Sequence, residues 1–299
     1  MKIGLGTAQF GMNYGIANRT GIVKKEEIEK ILSFLDSEKM FLIDTAPSYG
    51  RSEEVLGELT KNYHNFIFTT KTLPIKNQEI NIEHRKFLRD NLCMSLERLN
   101  RETLYSLLIH DSNNLYKKNF NFLVEEMHLL KNEGLIKKIG ISVYSLNQIE
   151  YIVSNYKKNN ANYFDLIQLP FNVFDQRLLN TNLLQELKNQ KFEIHARSIF
   201  LQGLLLMDIN EIPNSFEKYK NHIRKYQNFV KTKGFTLLES AVIFSSLNKN
   251  IDTIICGVEN LSQLKEIFKG ANSKGLKVNN FKDFAIDDDK LIDPSNWKK

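Results

Sequence analysis

Eight short apolar runs, each followed by an amphipathic stretch, constrain this chain more than any other feature. The runs span residues 3–7, 41–44, 66–70, 104–110, 139–143, 164–169, 192–198 and 253–256. Most are continuously apolar without alternation, as strands covered on both faces are. The predicted helices span 25–36, 52–60, 83–99, 122–132, 146–156, 178–188, 237–247 and 261–268. Ile28, Ile31, Leu32 and Leu35 show the spacing of one buried helical face, and Leu88, Leu92, Leu96 and Leu99 form a second stripe. Strict strand–helix alternation predicts parallel strands with right-handed crossovers. Spread over 299 residues, eight units take about 37 residues each, a natural strand–helix repeat. The expected fold is therefore α/β, a closed (β/α)8 TIM barrel. The alternative, an open doubly wound sheet, usually carries a glycine-rich turn after strand one. Here Gly6-Thr7-Ala8-Gln9-Phe10-Gly11 does not match that turn. The surplus falls in a connection over 204–234, predicted helical from 215 to 230, and in a polar tail over 274–299. No linker interrupts the pattern, so residues 1–299 are expected to form one domain.

Composition removes several function classes. With 42% hydrophobic and 25% charged residues, the chain has ample apolar surface to bury. No stretch approaches the roughly 20 apolar residues that span a bilayer, and the N-terminus lacks a signal-peptide layout. Two cysteines, Cys93 and Cys256, cannot build a disulfide framework, so a cytoplasmic setting is expected. The net charge of +6 is spread out, with no basic run of five or more residues. It suits a phosphate-bearing small molecule as well as nucleic acid, and the lack of a basic run argues against the latter. Neither nucleic acid nor membrane is an expected partner, and the sequence carries no sign of a particular oligomeric state.

In a barrel of this kind the active site lies at the C-terminal strand ends. Strand two ends in Asp44, strand three in Lys71 and strand four in His110-Asp111, while Tyr49 follows Asp44 in its loop. Singly, these residues have bland readings: a helix cap for the Asp, a solvated Lys, a structural His. Together they suggest proton donation to a carbonyl. A phenol has a reference pKa of about 10, which a lysine held by a buried aspartate would lower. A histidine beside the same oxygen would orient it. No metal site is expected, since the histidines and cysteines lack metal-ligand spacing.

The pattern Asp44-Thr45-Ala46-x-x-Tyr49-Gly50, then Ser52-Glu53-x-x-Leu56-Gly57, Thr70-Lys71 and His110, resembles the aldo-keto reductase family. Weaker matches follow in order: Gly4-Leu5-Gly6-Thr7, Ile139-Gly140-Ile141-Ser142, Gln168 with Asn172, Ser198-x-x-x-Gln202-Gly203-Leu204-Leu205, and Gly257 with Gln263-Leu264. The resemblance covers about residues 2 to 270. It implies hydride transfer between NADPH and an aldehyde or ketone, in either direction. Tyr49 would be the general acid, Lys71 and Asp44 would tune it, and His110 would position the small-molecule carbonyl substrate.

The cofactor would be NADP(H), with NAD(H) as the alternative. By resemblance its contacts would be Gly6, Thr7, Ala8, Asp44, Ser142, Gln168, Arg197, Ser198, Phe200, Leu201, Gln202, Gly203, Leu204, Gly257, Glu259 and Gln263. Of these, Ser142 and Gln168 would bind the carboxamide and the 198–204 loop the pyrophosphate. The 257–263 segment would hold the 2′-phosphate at a helix start.

Three departures stand out. Val143 replaces a common Asn, Arg197 replaces a stacking aromatic, and Glu259 stands where basic residues usually select NADPH. The family's usual N-terminal hairpin is also missing ahead of strand one, so side chains or a partner are expected to close the barrel bottom. Candidate pocket residues are Phe10, Tyr14, Asp111, Tyr144 and Phe171. Their polar neighbours favour a sugar or sugar derivative over a steroid. Two rival readings remain: a Schiff-base aldolase using Lys71, and a non-catalytic cofactor-binding regulatory protein.

Overall fold

The computed structural model describes residues 2–159 and 163–297. Eight parallel strands close into a barrel in sequence order. They are β1 (Lys2–Gly6), β2 (Leu42–Asp44), β3 (Ile67–Lys71), β4 (Leu104–Ile109), β5 (Ile136–Ser142), β6 (Leu166–Pro170), β7 (Glu193–Arg197) and β8 (Thr253–Gly257). Closure comes from β1 pairing with β8 over five registered residues, from Lys2 with Thr253 to Gly6 with Gly257. The helices are α1 (Ala8–Gly11), α2 (Lys25–Ser37), α3 (Ser52–Leu59), α4 (Ile82–Leu99), α5 (Asn121–Asn132), α6 (Leu146–Asn159), α7 (Leu183–Asn189), α8 (Lys220–Thr232), α9 (Leu237–Ser246), α10 (Leu261–Asn272) and α11 (Asp289–Ile292).

Each outer helix buries the stripe its sequence announces. On α2, Ile28, Ile31, Leu32 and Leu35 are all fully buried, each worth about 1.5–3 kcal/mol. Start signals are equally local. Asn81 caps α4 by accepting the His84 N–H, and Thr236 with Glu239 forms a capping box on α9. The predicted seventh helix, 178–188, is two pieces, a 3-10 turn at Arg177–Asn180 and then α7. Thr181 breaks it, its hydroxyl accepting the Leu183 N–H.

The structure extends two expectations. β5 starts at Ile136, three residues before the apolar run, because Lys138 is paired inside rather than solvated. It forms an ion pair with Glu193 at the start of β7. Glu193 also accepts from the Tyr105 hydroxyl at 2.6 Å and faces His195 Nε2 at 2.7 Å. Side chains at the N-terminal strand ends thus fill the floor of the barrel.

Residues 274–299 were expected to form a polar tail; residues 298–299 lie outside the described residues, and over 274–297 the structure corrects this. Leu276, Phe281, Phe284, Leu291 and Ile292 are buried, and Trp297 packs edge-on against Phe216 at 4.8 Å. Widely spaced apolar residues among lysines and aspartates hide this packing from the pattern. Among the described residues, no helix is long and apolar enough to cross a membrane.

Candidate active site

Asp44, Lys71 and His110 stand at the C-terminal ends of β2, β3 and β4, and Tyr49 lies in the loop from β2 to α3. The structure brings all four together. Lys71 Nζ donates to Asp44 Oδ1 at 2.6 Å and to the Thr45 carbonyl at 2.9 Å. Both side chains are almost fully buried, so the pair is held in one geometry. The same ammonium sits 4.9 Å from the centre of the Tyr49 ring. Tyr49 and His110 meet edge to face, 6.1 Å apart. Among the described residues, the Tyr49 hydroxyl has no hydrogen-bond partner.

The backbone around Tyr49 is fixed by a close approach of two glycines. A Cβ on Gly11 would lie 1.9 Å from the Tyr49 carbonyl oxygen, and one on Gly50 would lie 2.2 Å from the Gly11 carbonyl oxygen. Gly50 also has φ +58°, a conformation that other residues enter at a cost. Beneath the loop, the Ser52 hydroxyl donates to Thr7 and accepts from Thr45, tying α3 to β1 and β2. Buried Glu53 receives the Thr70 hydroxyl at 2.6 Å and Arg98 Nε at 2.8 Å. It thereby clamps the residue next to Lys71.

Electrostatics sort the groups by role. Burial, reinforced by the Asp44 carboxylate, pushes the Tyr49 phenol well above its ordinary range, and Arg197 opposes the shift. The sequence reading assigned that opposing role to Lys71. With its charge matched by Asp44 at contact distance, Lys71 is not among the groups that lower Tyr49. Burial, then Lys71 and Arg197, lower His110 to about 3, so its imidazole is neutral at physiological pH. Tyr14 is raised to about 12 by burial and by Tyr49. The pocket therefore holds protonated phenols beside a neutral imidazole.

Across the mouth, Gln168 on β6 donates its amide to Asp44 Oδ2 at 2.8 Å. Ser142 at the end of β5 donates to Gln168 Oε1 at 3.4 Å. Arg197 at the end of β7 donates to Ser142 Oγ and stacks on the Tyr144 ring at 4.0 Å. A chain of polar contacts thus joins the Asp44–Lys71 pair to the cofactor-candidate residues. The amide and hydroxyl at its centre offer the donor and acceptor that a carboxamide needs.

The loop after β7 stores strain. Ser198, Leu201 and Gln202 all have positive φ without being glycine, and Gly203 follows at φ +92°. Such conformations cost about 1–3 kcal/mol each and gather at functional sites. Leu201 and Leu204 are fully buried anchors, with Phe200 half-buried beside them. Asn172 donates to the Ser198 carbonyl and supports the loop from β6. Ile16 donates to the Gln202 carbonyl, which brings the β1–α2 connection over the same loop.

On the neighbouring strands, Gly6 pairs with both Asp44 and Gly257, placing β1, β2 and β8 at one level. The Thr7 hydroxyl donates to the Asp44 carbonyl, and Ala8 is buried in α1. Gly257 has Gln9 against it, so close that a Cβ would lie 2.8 Å from its amide.

The start of α10 is partly satisfied from within the chain. The Leu261 N–H is taken by the Glu27 carboxylate at 2.8 Å, a residue 234 positions away on α2. That bond, with help from Lys30, holds the Glu27 carboxyl below its usual range. The Gln263 side chain accepts the Glu259 N–H, and Asn260 accepts the Gln263 N–H. Sequence reasoning named Glu259 and Gln263 but missed Glu27, which reads as an ordinary acidic first turn of α2.

Of the pocket candidates, Tyr14 and Tyr144 lie near Tyr49: after burial, Tyr49 raises the Tyr14 phenol, and Tyr144 adds to the rise that burial and Asp44 cause at Tyr49. Phe10 and Phe171 are each 1% exposed, and Phe171 stacks on Phe244 at 5.0 Å. Asp111 accepts the Asn113 N–H at 3.1 Å and caps a 3-10 turn. Among the described residues, no cluster of His, Cys, Asp and Glu could hold a metal ion.

Comparison with known proteins adds a second line of observation. The model of the Aldo/keto reductase family matches residues 2–284. A D-arabinose 1-dehydrogenase of Saccharomyces cerevisiae is 31% identical over 131 residues, 42% of this chain and 39% of that one. The match thus spans well under half the length of that relative. An L-galactose dehydrogenase of Arabidopsis thaliana is 26% identical over 235 residues, 75% of this chain and 71% of the relative. A solved Pseudomonas aeruginosa structure assigned to the aldo-keto reductases superposes with a TM-score of 0.62. It shares 18% identity over 90% of this chain and 88% of that one, a likeness of fold.

Proposed function

The chain belongs to the aldo/keto reductase family, and from that premise we propose a nicotinamide-dependent oxidoreductase that interconverts a carbonyl and an alcohol. Tyr49 is its general acid and base. The observation that carries this reading is the Tyr49 hydroxyl itself, unpartnered beside a buried Lys71–Asp44 pair and a neutral His110. When bound, the dinucleotide supplies a hydride to the carbonyl carbon or takes one from the alcohol carbon. In reduction the carbonyl oxygen receives the Tyr49 proton, which solvent then restores; oxidation runs the transfer backwards. His110 Nε2 is free to donate to that oxygen, since Nδ1 meets Ser48 Oγ at 3.4 Å. Lys71 and Asp44 hold the floor of the site in a fixed geometry and exclude water from beneath the ring.

The residues present fit the dinucleotide at the centre of the mouth, where Ser142 and Gln168 match a carboxamide, and at the strained Ser198–Gly203 loop. At α10 the fit is to NAD(H) rather than to NADP(H), the reverse of the order the resemblance implies. Glu27 already takes the Leu261 N–H at that helix start, and Glu259 precedes it in the chain, so a 2′-phosphate would meet acidic residues there. The names of the relatives point to sugars, and we assign this chain a sugar or sugar derivative as substrate. The test is oxidation of NADH and NADPH with a panel of small aldehydes and sugars, in wild type and Tyr49→Phe. Turnover that survives Tyr49→Phe would remove the acid role. Tight dinucleotide binding with no turnover of any carbonyl would favour a regulatory protein.

A further inference from the structure

We propose that the cleft between α5 and α6 is a second binding site, and that it takes a small aromatic carboxylic acid, a single ring with a short acidic arm, whose carboxylate meets Lys117. The site is independent of the carbonyl–alcohol chemistry at the mouth.

The cleft is a cavity in the outer helix layer, with a volume of about 220 Å³. It is lined from α5 and α6 and from the segments that lead into α5, β6 and β7. None of the residues assigned to the mouth lines it. A cavity of about 150 Å³ holds a benzene molecule, so this one has room for a ring and a short arm. Its walls sort by polarity. Leu115, Val124, Phe164 and Phe192 are buried and form an apolar floor, whereas Tyr151 and Tyr163 are exposed at the rim. Phe120 meets the Phe164 ring at 6.4 Å, tilted by 54°. Walls built so largely of rings favour a flat aromatic guest over an alkyl chain, because ring pairs gain more than the area they bury.

Charge decides the kind of arm. Among the described residues, Lys117 is the one charged residue in the lining, and no carboxylate lines the cleft. The Lys117 side chain is partly buried. Its ammonium donates to the Ile75 carbonyl and pairs with no carboxylate among the described residues. Carboxylates nearby in the chain are already matched, Glu79 by Lys118 at 3.0 Å and Glu125 by Arg85 at 3.4 Å. An ammonium has three N–H donors, so Lys117 keeps two for a guest. A carboxylate that accepts from them forms charge-assisted hydrogen bonds, stronger than any a neutral guest can offer. Aromatic walls and one uncompensated cation together specify an aromatic anion.

Three probes test this by calorimetry on the intact chain: 3-phenylpropionate, 3-phenylpropan-1-ol, which lacks the charge, and hexanoate, which lacks the ring. The protein should bind 3-phenylpropionate about tenfold more tightly than either of the others, the usual worth of one charge-assisted contact or one well-packed ring. Lys117→Met should erase the advantage of the acid over the alcohol. Lys117→Arg should keep part of it, since the charge remains on a different head. Val124→Trp, which fills the cleft, should abolish binding of all three probes. Because Val124 is buried, Tyr151→Ala at the exposed rim serves as a second variant and should weaken 3-phenylpropionate several-fold; urea midpoints identify any variant that fails to fold. Tyr49→Phe should bind the acid as tightly as wild type, which separates the cleft from the mouth. Absence of 3-phenylpropionate binding, equal affinity for acid and alcohol, or an acid preference that survives Lys117→Met would overturn the proposal. Binding that Tyr49→Phe loses and Tyr151→Ala keeps would overturn it too, since the acid would then sit at the mouth.

Discussion

The barrel carries the same four chemical groups at both ends. At the mouth stand Asp44, Lys71, Tyr49 and His110; at the floor stand Glu193, Lys138, Tyr105 and His195. The floor is closed upon itself. One carboxylate, Glu193, takes the lysine, the phenol and the imidazole, and the Lys138 ammonium lies 5.0 Å over the Tyr105 ring. Although burial works against it, His195 and Lys138 hold the Glu193 carboxyl well below the usual range. At the mouth, among the described residues, the carboxylate side chain takes the lysine and an amide, which leaves the phenol unpartnered and the imidazole nearly so. On the proposed function, reactivity follows from which bonds a site leaves unmade: at the floor the Tyr105 phenol is bonded and His195 Nδ1, among the described residues, is left without a partner, whereas at the mouth the Tyr49 phenol is the open group.

The sharpest way to break this comparison is to remove the two phenols in turn. Tyr49→Phe should lower kcat for carbonyl reduction by about a thousandfold, while Tyr105→Phe should leave it unchanged. The rate of NADH or NADPH oxidation reads both, and an equal loss from Tyr105→Phe would dissolve the distinction. Removing the carboxylates should show the converse. Glu193→Gln should cost about 2 kcal/mol of stability by urea denaturation with kcat retained, because Lys138 and Tyr105 lose their common partner. Asp44→Asn should abolish turnover, whatever it does to stability. A smaller effect is expected at the edge of the mouth. Glu27→Gln combined with Glu259→Gln should raise the NADPH to NADH preference about tenfold, since one helix-terminus interaction is worth on the order of 1 kcal/mol. An unchanged ratio would detach cofactor choice from α10.

A separate effect concerns pH. The folded protein holds His110 at about 3, against about 6.5 when unfolded. Between these values the unfolded chain binds the proton and the folded one does not. Stability therefore rises with pH through that window and falls as the pH drops from 6.5 towards 3. His110→Gln should flatten this slope, read as urea midpoints at pH 7 and pH 5. The kcat profile, in contrast, should show no step from His110 near pH 6.5.

The mouth was legible in the sequence because the barrel rule assigns meaning to strand ends, and Asp44, Lys71 and His110 sit at three consecutive ones. The floor was not. Tyr105, Lys138, Glu193 and His195 come from β4, β5 and β7, and only closure of the sheet brings them together. Lys137 and Lys138 even disguised the start of β5, since charges inside a strand read as a loop until a partner is known. Glu27 was hidden for a similar reason, its hydrogen-bond partner lying at the far end of the chain. The left-handed residues Ser198, Leu201 and Gln202 carry no glycine to announce them.

The segment that follows α10 has a consequence in time. Gln176 and Phe174 in the β6 loop bond to Phe281 and Ile286. Arg177 reaches Asp289, and Lys218 and Tyr219 ahead of α8 reach Asp288. All eight strands lie upstream of these contacts. During synthesis the ribosome therefore releases a complete set of barrel strands before it releases the residues that latch two of the mouth loops, so a nascent chain can hold its core while its mouth is still unfastened.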